Sequence, residues 1–180
     1  MIVRINQFYI DLYNYYEFFE KIIAKVCIVF IKQNVFALEL RHIFGMVIDD
    51  EGKQIPLEEE IEIFHRVFKK IKQDYPLFNC KLIVCGLKIV GKDHIEKMIQ
   101  GITDGIKITK IIAGFDMVNE EDFCAPIKDF LKEIIEAEHA AEGKFPVVLH
   151  AGESCESRNE NLYDAILLGT KRIGHGFALA

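Results

Sequence analysis

The stretch Phe145-Pro146-Val147-Val148-Leu149-His150-Ala151-Gly152-Glu153 decides the fold. Its apolar run, Phe145 to Leu149, is short, is rich in residues that suit a strand, and ends directly on His150. Four similar runs recur along the chain: Val35 to Leu40, Leu82 to Val90, Ile111 to Val118 and Ile173 to Leu179. Between them lie longer stretches of helical period. Ile61, Phe64, Val67, Phe68 and Ile71 mark one stripe; Ile127, Phe130, Leu131, Ile134 and Ile135 mark another; Leu162, Ala165, Ile166 and Leu168 form a shorter one. Strands alternating with helices at about 25 to 45 residues per repeat imply βαβ units and a parallel sheet. Apolar runs without strict alternation belong to strands buried on both faces. An open doubly wound sheet and a (β/α) barrel both answer that description. No G-x-G-x-x-G or G-x-x-x-x-G-K-[ST] follows any run, so the phosphate-cradling turns of nucleotide-binding open sheets are missing and the barrel is preferred.

The 180 residues carry 22 Lys+Arg against 28 Asp+Glu, a formal net charge of −6, and 51% are hydrophobic. That balance is globular, and a mildly acidic chain lacks the basic face a nucleic acid demands. The longest apolar stretch, Ile22 to Ile31, is interrupted by Lys25 and falls short of the roughly 18 to 20 residues of a membrane span. Met1-Ile2-Val3-Arg4 does not open a secretory signal. Cys27, Cys80, Cys85, Cys124 and Cys155 are scattered and never spaced as C-x-x-C, which suits buried or free thiols better than a disulfide framework or a zinc knuckle. The first 33 residues, with Tyr9, Tyr13, Tyr15, Tyr16, Phe18 and Phe19, read as an N-terminal helical segment, and residues 34–180 read as partial barrel.

Polar residues gather where the apolar runs end. Asp116 closes Ile111-Ile112-Ala113-Gly114-Phe115; His150 follows Leu149, with Glu153 just beyond; His175 lies between Gly174 and Gly176. In a parallel barrel the C-terminal strand ends converge on one mouth, where catalytic groups sit. Two histidines and two carboxylates delivered there are the makings of a metal-hydrolase site.

His150-Ala151-Gly152-Glu153, followed by Arg172-Ile173-Gly174-His175-Gly176-Phe177-Ala178-Leu179, resembles the adenosine/AMP deaminase family, and most of all its adenosine deaminase-related growth factor (adenosine deaminase 2-like) subgroup. Asn161 to Lys171, Ala113 to Val118 and Asn34 to Arg41 carry the same likeness, which covers roughly residues 10 to 180 in order. The resemblance implies a zinc-dependent hydrolase of the metallo-dependent TIM (β/α)8 type that converts adenosine and water to inosine and ammonia. It makes His150 a zinc ligand, Glu153 the general acid toward the purine ring, and His175 the group that orients or deprotonates the attacking water. Asp116 and Asn119 fall to substrate binding. Glu153 has to be protonated to donate, which calls for burial.

The family takes two further zinc histidines from an H-x-H motif and an aspartate from the last strand. Here no two of His42, His65, His94, His139, His150 and His175 are separated by a single residue, and no distal aspartate follows His175. One protein ligand does not hold a catalytic zinc, which takes three and a water. Five runs, against the eight strands and about 250 residues of a closed barrel, make this an internal portion carrying about strands two to six. The alternatives are a catalytically inactive relative or another nucleoside or nucleobase deaminase. Asn119 stands where the family has a glycine whose N–H meets the purine; Asn tolerates positive φ, but its side chain crowds the base. The run ending near Lys88-Ile89 lacks the polar pair expected of relatives.

A histidine after an apolar run is ordinarily a packing or capping residue, and only the motifs reverse that reading for His150 and His175. Asp116 is equally a loop cap. Glu39 and Arg41 read as a barrel ion pair. His42, His65, His94 and His139 sit in loop or helical contexts with surface or packing roles, and Glu58, Glu59, Glu60 and Glu62 suit a helix start. The partner implied is a purine nucleoside, with no nucleic acid and no membrane; a homodimer is open for a full-length form. The location is extracellular if the chain follows the growth-factor subgroup, and otherwise cytoplasmic.

Overall fold

The computed structural model describes residues 14–140, 145–154 and 159–179. Every apolar run forms a strand: β1 (Ala37–His42), β2 (Asn79–Leu87), β3 (Ile112–Val118), β4 (Val148–Ala151) and β5 (Arg172–His175). The helices are α1 (Tyr16–Lys32), α2 (Leu57–Asp74), α3 (Lys92–Ile108), α4 (Leu131–Ala140) and α5 (Asn161–Leu167). Short 3-10 turns occupy Lys88–Val90, Ile127–Phe130 and Phe177–Leu179.

Strands β1, β2 and β3 hydrogen-bond in that order, and β4 pairs with β5. A parallel bridge between Phe115 and Val147 joins β3 to the run entering β4, where the Phe115 N–H donates to the Pro146 carbonyl at 2.8 Å. The β2/β3 and β4/β5 pairs are parallel, with Cys85 opposite Asp116 and Ala151 opposite His175. Spatial order therefore equals chain order. A doubly wound sheet reverses its order at a switch point, whereas in a barrel each strand lies beside its predecessor. The five strands follow the barrel course.

Several boundaries differ from the sequence expectation. β1 runs on to His42, which is buried in a strand and not set in a loop or helix. β2 ends at Leu87, and the chain tightens into the 3-10 turn Lys88–Val90. β5 ends at His175 because His175 and Gly176 take φ of 73° and 70°, values an extended strand does not continue. Helix α3 has an apolar stripe of its own, in which Ile95, Met98, Ile99 and Ile102 are buried. Gly101 and Gly105 weaken its helical signal.

The chain divides into two compact units. The first holds residues up to Leu40 and Phe44–Lys81. Phe19, Ile23 and Cys27 recur every four residues along α1 and are buried together, as the period of a helix dictates. Phe64 of α2 anchors this core, with its ring edge-on to Phe19 at 5.2 Å and to Phe44 at 6.3 Å. Outside, Glu20 and Arg66 link the two helices at 2.6 Å. Glu60 belongs to the acidic start of α2 yet is fully buried, where it accepts the Gly45 N–H at 2.9 Å.

The second unit holds Arg41–Ile43 and the chain from Leu82 onward. Its core is built on Phe115, Phe130, Ile95, Ile102, Ile134 and Leu149, all nearly inaccessible to water. Asn161, buried at the start of α5, accepts the Ile127 N–H at 2.7 Å and so fixes the entry to α4. Gly114 lets β3 approach β4: a Cβ there would stand 2.9 Å from the Pro146 carbonyl oxygen. Gly114→Val is expected to lower stability by about 1–3 kcal/mol, as overpacking does. A urea midpoint unchanged by that substitution would contradict the close β3–β4 approach.

Candidate active site

The site is built on Asp116, which β3 carries fully buried. A carboxylate taken out of water has to be matched by donors. Three converge on it. The His150 N–H reaches Oδ1 at 2.9 Å, His150 Nδ1 reaches Oδ2 at 2.5 Å, and Arg41 Nε reaches Oδ2 at 2.8 Å. The ends of β1, β3 and β4 are thereby tied to one side chain. An ionised carboxylate only accepts, so His150 Nδ1 is the donor, and in the neutral imidazole Nε2 then keeps its lone pair. Cys85 stands opposite Asp116 in register; burial first, and the Asp116 charge second, push its thiol above the ordinary range. That sulfur stays protonated and unreactive.

Glu121 organises the turn that follows β4. Its carboxylate accepts three successive backbone N–H groups, from Gly152 at 2.8 Å, Glu153 at 2.7 Å and Ser154 at 3.2 Å. Burial pushes this carboxyl up, but those three amides together with the Asn159 side chain outweigh it and hold it below the ordinary carboxylate value. Sequence reading passed over Glu121. The one signal available was an acidic residue just past the end of β3, and its partners lie some thirty residues further on.

His175 ends β5 and faces the same region. Its ring centroid lies 5.0 Å from that of His150, and its Nε2 is 3.7 Å from Glu153 Oε1. Gly174 makes room for this, since a Cβ there would meet the His150 ring at 2.8 Å. The end of β5 is pinned by the Gly176 N–H, which donates to the Ala151 carbonyl at 3.0 Å. His150, His175, Glu153 and Asp116 are thus brought together, as their places at the strand ends imply. The expected burial of Glu153 is not there: its side chain is 44% exposed.

Asn119 has the positive φ, 121°, that its glycine-like position demands, and its Oδ1 accepts the Ile89 N–H at 3.3 Å. Arg41 pairs with Asp116 at the mouth. Lys88, at the end of β2, is 4% exposed and has no ion-pair partner among the described residues. A cavity of about 390 Å³ lies between α1 and α2 of the first unit, and one of about 220 Å³ is lined by Glu121 and Asn159; neither histidine lines either. His150 fits a metal, with Nδ1 engaged and Nε2 available. The rest of a donor set is missing among the described residues, where no group of three or more His, Cys, Asp or Glu is placed to hold one ion.

The depressed carboxyl of Glu121 sets a pH dependence. Its anchoring of the turn is complete above the ordinary value near 4.5 and is lost as pH falls through the lower folded-state value. At neutral pH, Glu121→Ala is expected to reduce hydrogen-exchange protection of the Gly152, Glu153 and Ser154 amides by about tenfold or more, the worth of charged hydrogen bonds. Unchanged protection would show that the turn holds without it.

The chain is 34% identical to an adenosine deaminase of Lutzomyia longipalpis over 146 residues, 79% of its length. It is 32% identical to adenosine deaminase 2 of Homo sapiens over 162 residues and 30% identical to that of Sus scrofa over 180. It spans 28%, 30% and 34% of those proteins respectively. An amidohydrolase of Burkholderia ambifaria with bound Zn superposes with a TM-score of 0.75 over 89% of this chain and 42% of that one, at 19% identity. Arabidopsis ADAL complexed with IMP gives 0.65 over 87% and 45%, at 15% identity. At such identities the structures speak for the fold alone, a parallel (β/α) barrel of which this chain matches part. No protein-family model matches the chain. Over most of its length the chain is thus similar to proteins named adenosine deaminase, as a stretch matching about a third of such a protein.

Proposed function

We propose that this chain supplies one part of a zinc-dependent site that deaminates a purine nucleoside, adenosine and water giving inosine and ammonia. The reading rests on the relationship to proteins named adenosine deaminase and, in the structure, on a single contact. That contact is between Asp116 and His150 Nδ1, which leaves Nε2 as the nitrogen for a metal. A zinc ion held there would act as a Lewis acid and make hydroxide accessible at neutral pH.

The remaining roles belong to the chain's own side chains. Glu153, whose side chain is 44% exposed and open to a bound base, gives a proton to the purine ring. His175, 3.7 Å away, orients the attacking water and takes its proton. Asn119 offers its backbone N–H to the base while Ile89 draws the carboxamide aside.

A non-catalytic reading has one observation in its favour, the absence of a three-donor group among the described residues. A nucleotide substrate is suggested by solved relatives of the fold complexed with IMP and GMP, and by one described as an N6-mAMP deaminase. Elemental analysis of the purified protein, with an inosine-release assay, separates the first two readings. Stoichiometric zinc and turnover support the enzyme; neither leaves the non-catalytic relative. In an active protein Glu153→Gln is expected to lower kcat by about 100-fold or more. Asp116→Asn should weaken zinc binding about 10- to 100-fold. Full activity in Glu153→Gln would remove the acid assignment.

A further inference from the structure

The chain leaves β5 through two residues in the left-handed region, His175 at φ 73° and Gly176 at φ 70°. Glycine takes that conformation freely, whereas a histidine held in it is strained and persists only where its surroundings impose it. The two residues turn the chain sharply into the 3-10 turn Phe177–Leu179. That turn is firmly held. The Gly176 N–H donates to the Ala151 carbonyl at 3.0 Å, the Ala178 N–H to the Gly152 carbonyl at 3.3 Å, and the Leu179 N–H to the Gly176 carbonyl at 3.1 Å. Gly152 lies directly against it, since a Cβ there would stand 3.4 Å from both the Gly176 Cα and the Ala178 Cβ. Yet the first side chain of the turn, the Phe177 ring, is 60% exposed. Its ring contact is with His175, at 6.0 Å between centroids.

A single apolar side chain in water calls for no explanation by itself. Phe177 differs from such a residue in two respects. Its backbone is tied to the turn that carries Glu153, and its neighbour His175 is the imidazole that Glu153 meets at 3.7 Å. We infer that Phe177 is a specificity-determining residue of the site, the platform on which the flat ring system of the substrate base stacks. The inference rests on the reading of the site as one that deaminates a purine nucleoside.

Glu153 and Phe177 both meet the His175 imidazole, so a base lying against the Glu153 carboxyl comes within the roughly 4.5–7 Å at which aromatic rings associate. Every base has a π-face, so an aromatic side chain holds a base without reading its edge. Phe177 therefore selects a heteroaromatic ring over a saturated amine or amide, and leaves the choice among bases to the hydrogen-bonding groups. Stacking acts on bound substrate and reacting complex alike, so its loss falls on KM and not on kcat.

The chain contains no tryptophan, so Phe177→Trp places a single indole at the platform. The test titrates that variant with adenosine and follows indole fluorescence, alongside KM and kcat from inosine release by Phe177→Ala, Phe177→Leu and Phe177→Tyr. The expected result is saturable quenching of an indole that is exposed to solvent before adenosine is added. In the kinetic series Phe177→Ala raises KM about 5- to 100-fold. Phe177→Leu, with apolar bulk but no π-face, is as impaired as the alanine variant, while Phe177→Tyr stays close to the unsubstituted protein. A residue that merely packed would be satisfied by leucine. Inosine release with no quenching and an unchanged KM in Phe177→Ala overturns this inference and leaves the deaminase reading standing. An indole already shielded from solvent without adenosine overturns it too. Quenching without inosine release supports the platform and counts against the chemistry; neither signal removes both.

Discussion

One fully buried carboxylate, that of Asp116, accepts from three donors. Everything at the strand ends of the second unit depends on that arrangement. Without Arg41 and His150 the charge would stand uncompensated in a low-dielectric interior, at a cost of several kcal/mol. With them it fixes where β4 ends, which nitrogen of His150 is protonated, and which nitrogen faces outward. One interaction therefore does structural and chemical duty at once, and the two cannot be separated by substitution at this position.

Glu121 is its counterpart in the next layer of the site. Asp116 aims a side chain, whereas Glu121 shapes a backbone turn by gathering three consecutive amides. Neither carboxylate is the proposed acid. They bear on it indirectly, since Glu153 hangs from the turn that Glu121 holds and faces a histidine whose neighbour Asp116 orients. A reaction centre made from short strands needs this kind of support, because four residues of β4 or β5 contain too few ladder hydrogen bonds to position a side chain alone.

Much of this was legible beforehand. Runs of Val, Ile and Phe locate all five strands, because a strand covered on both faces has no polar side to show. His150, His175, Glu153 and Asp116 could be placed at strand ends from the residues alone. What escaped has physical reasons. His42 is polar and closes an apolar run, so nothing in its neighbourhood distinguishes an inward-facing strand residue from the start of a loop. Helix α3 was passed over because Gly101 and Gly105 dilute its stripe. Glu60 sits in an acidic run that looks solvated, and a partner that meets it in its buried place, the Gly45 amide, lies fifteen residues earlier. Contacts between a side chain and a distant backbone amide leave no periodic trace, which is why Glu121 was invisible while the histidines were not.

Gly174 has the widest consequence. By leaving the space that the His150 imidazole fills, it makes the backbone of β5 one wall of the neighbouring strand's ring. The two imidazoles are mechanically linked: a tilt of β5 moves His175 directly and displaces the wall against which His150 rests. Lineages that retune one of these rings must carry the other along, so drift at this corner of the molecule should come in paired steps.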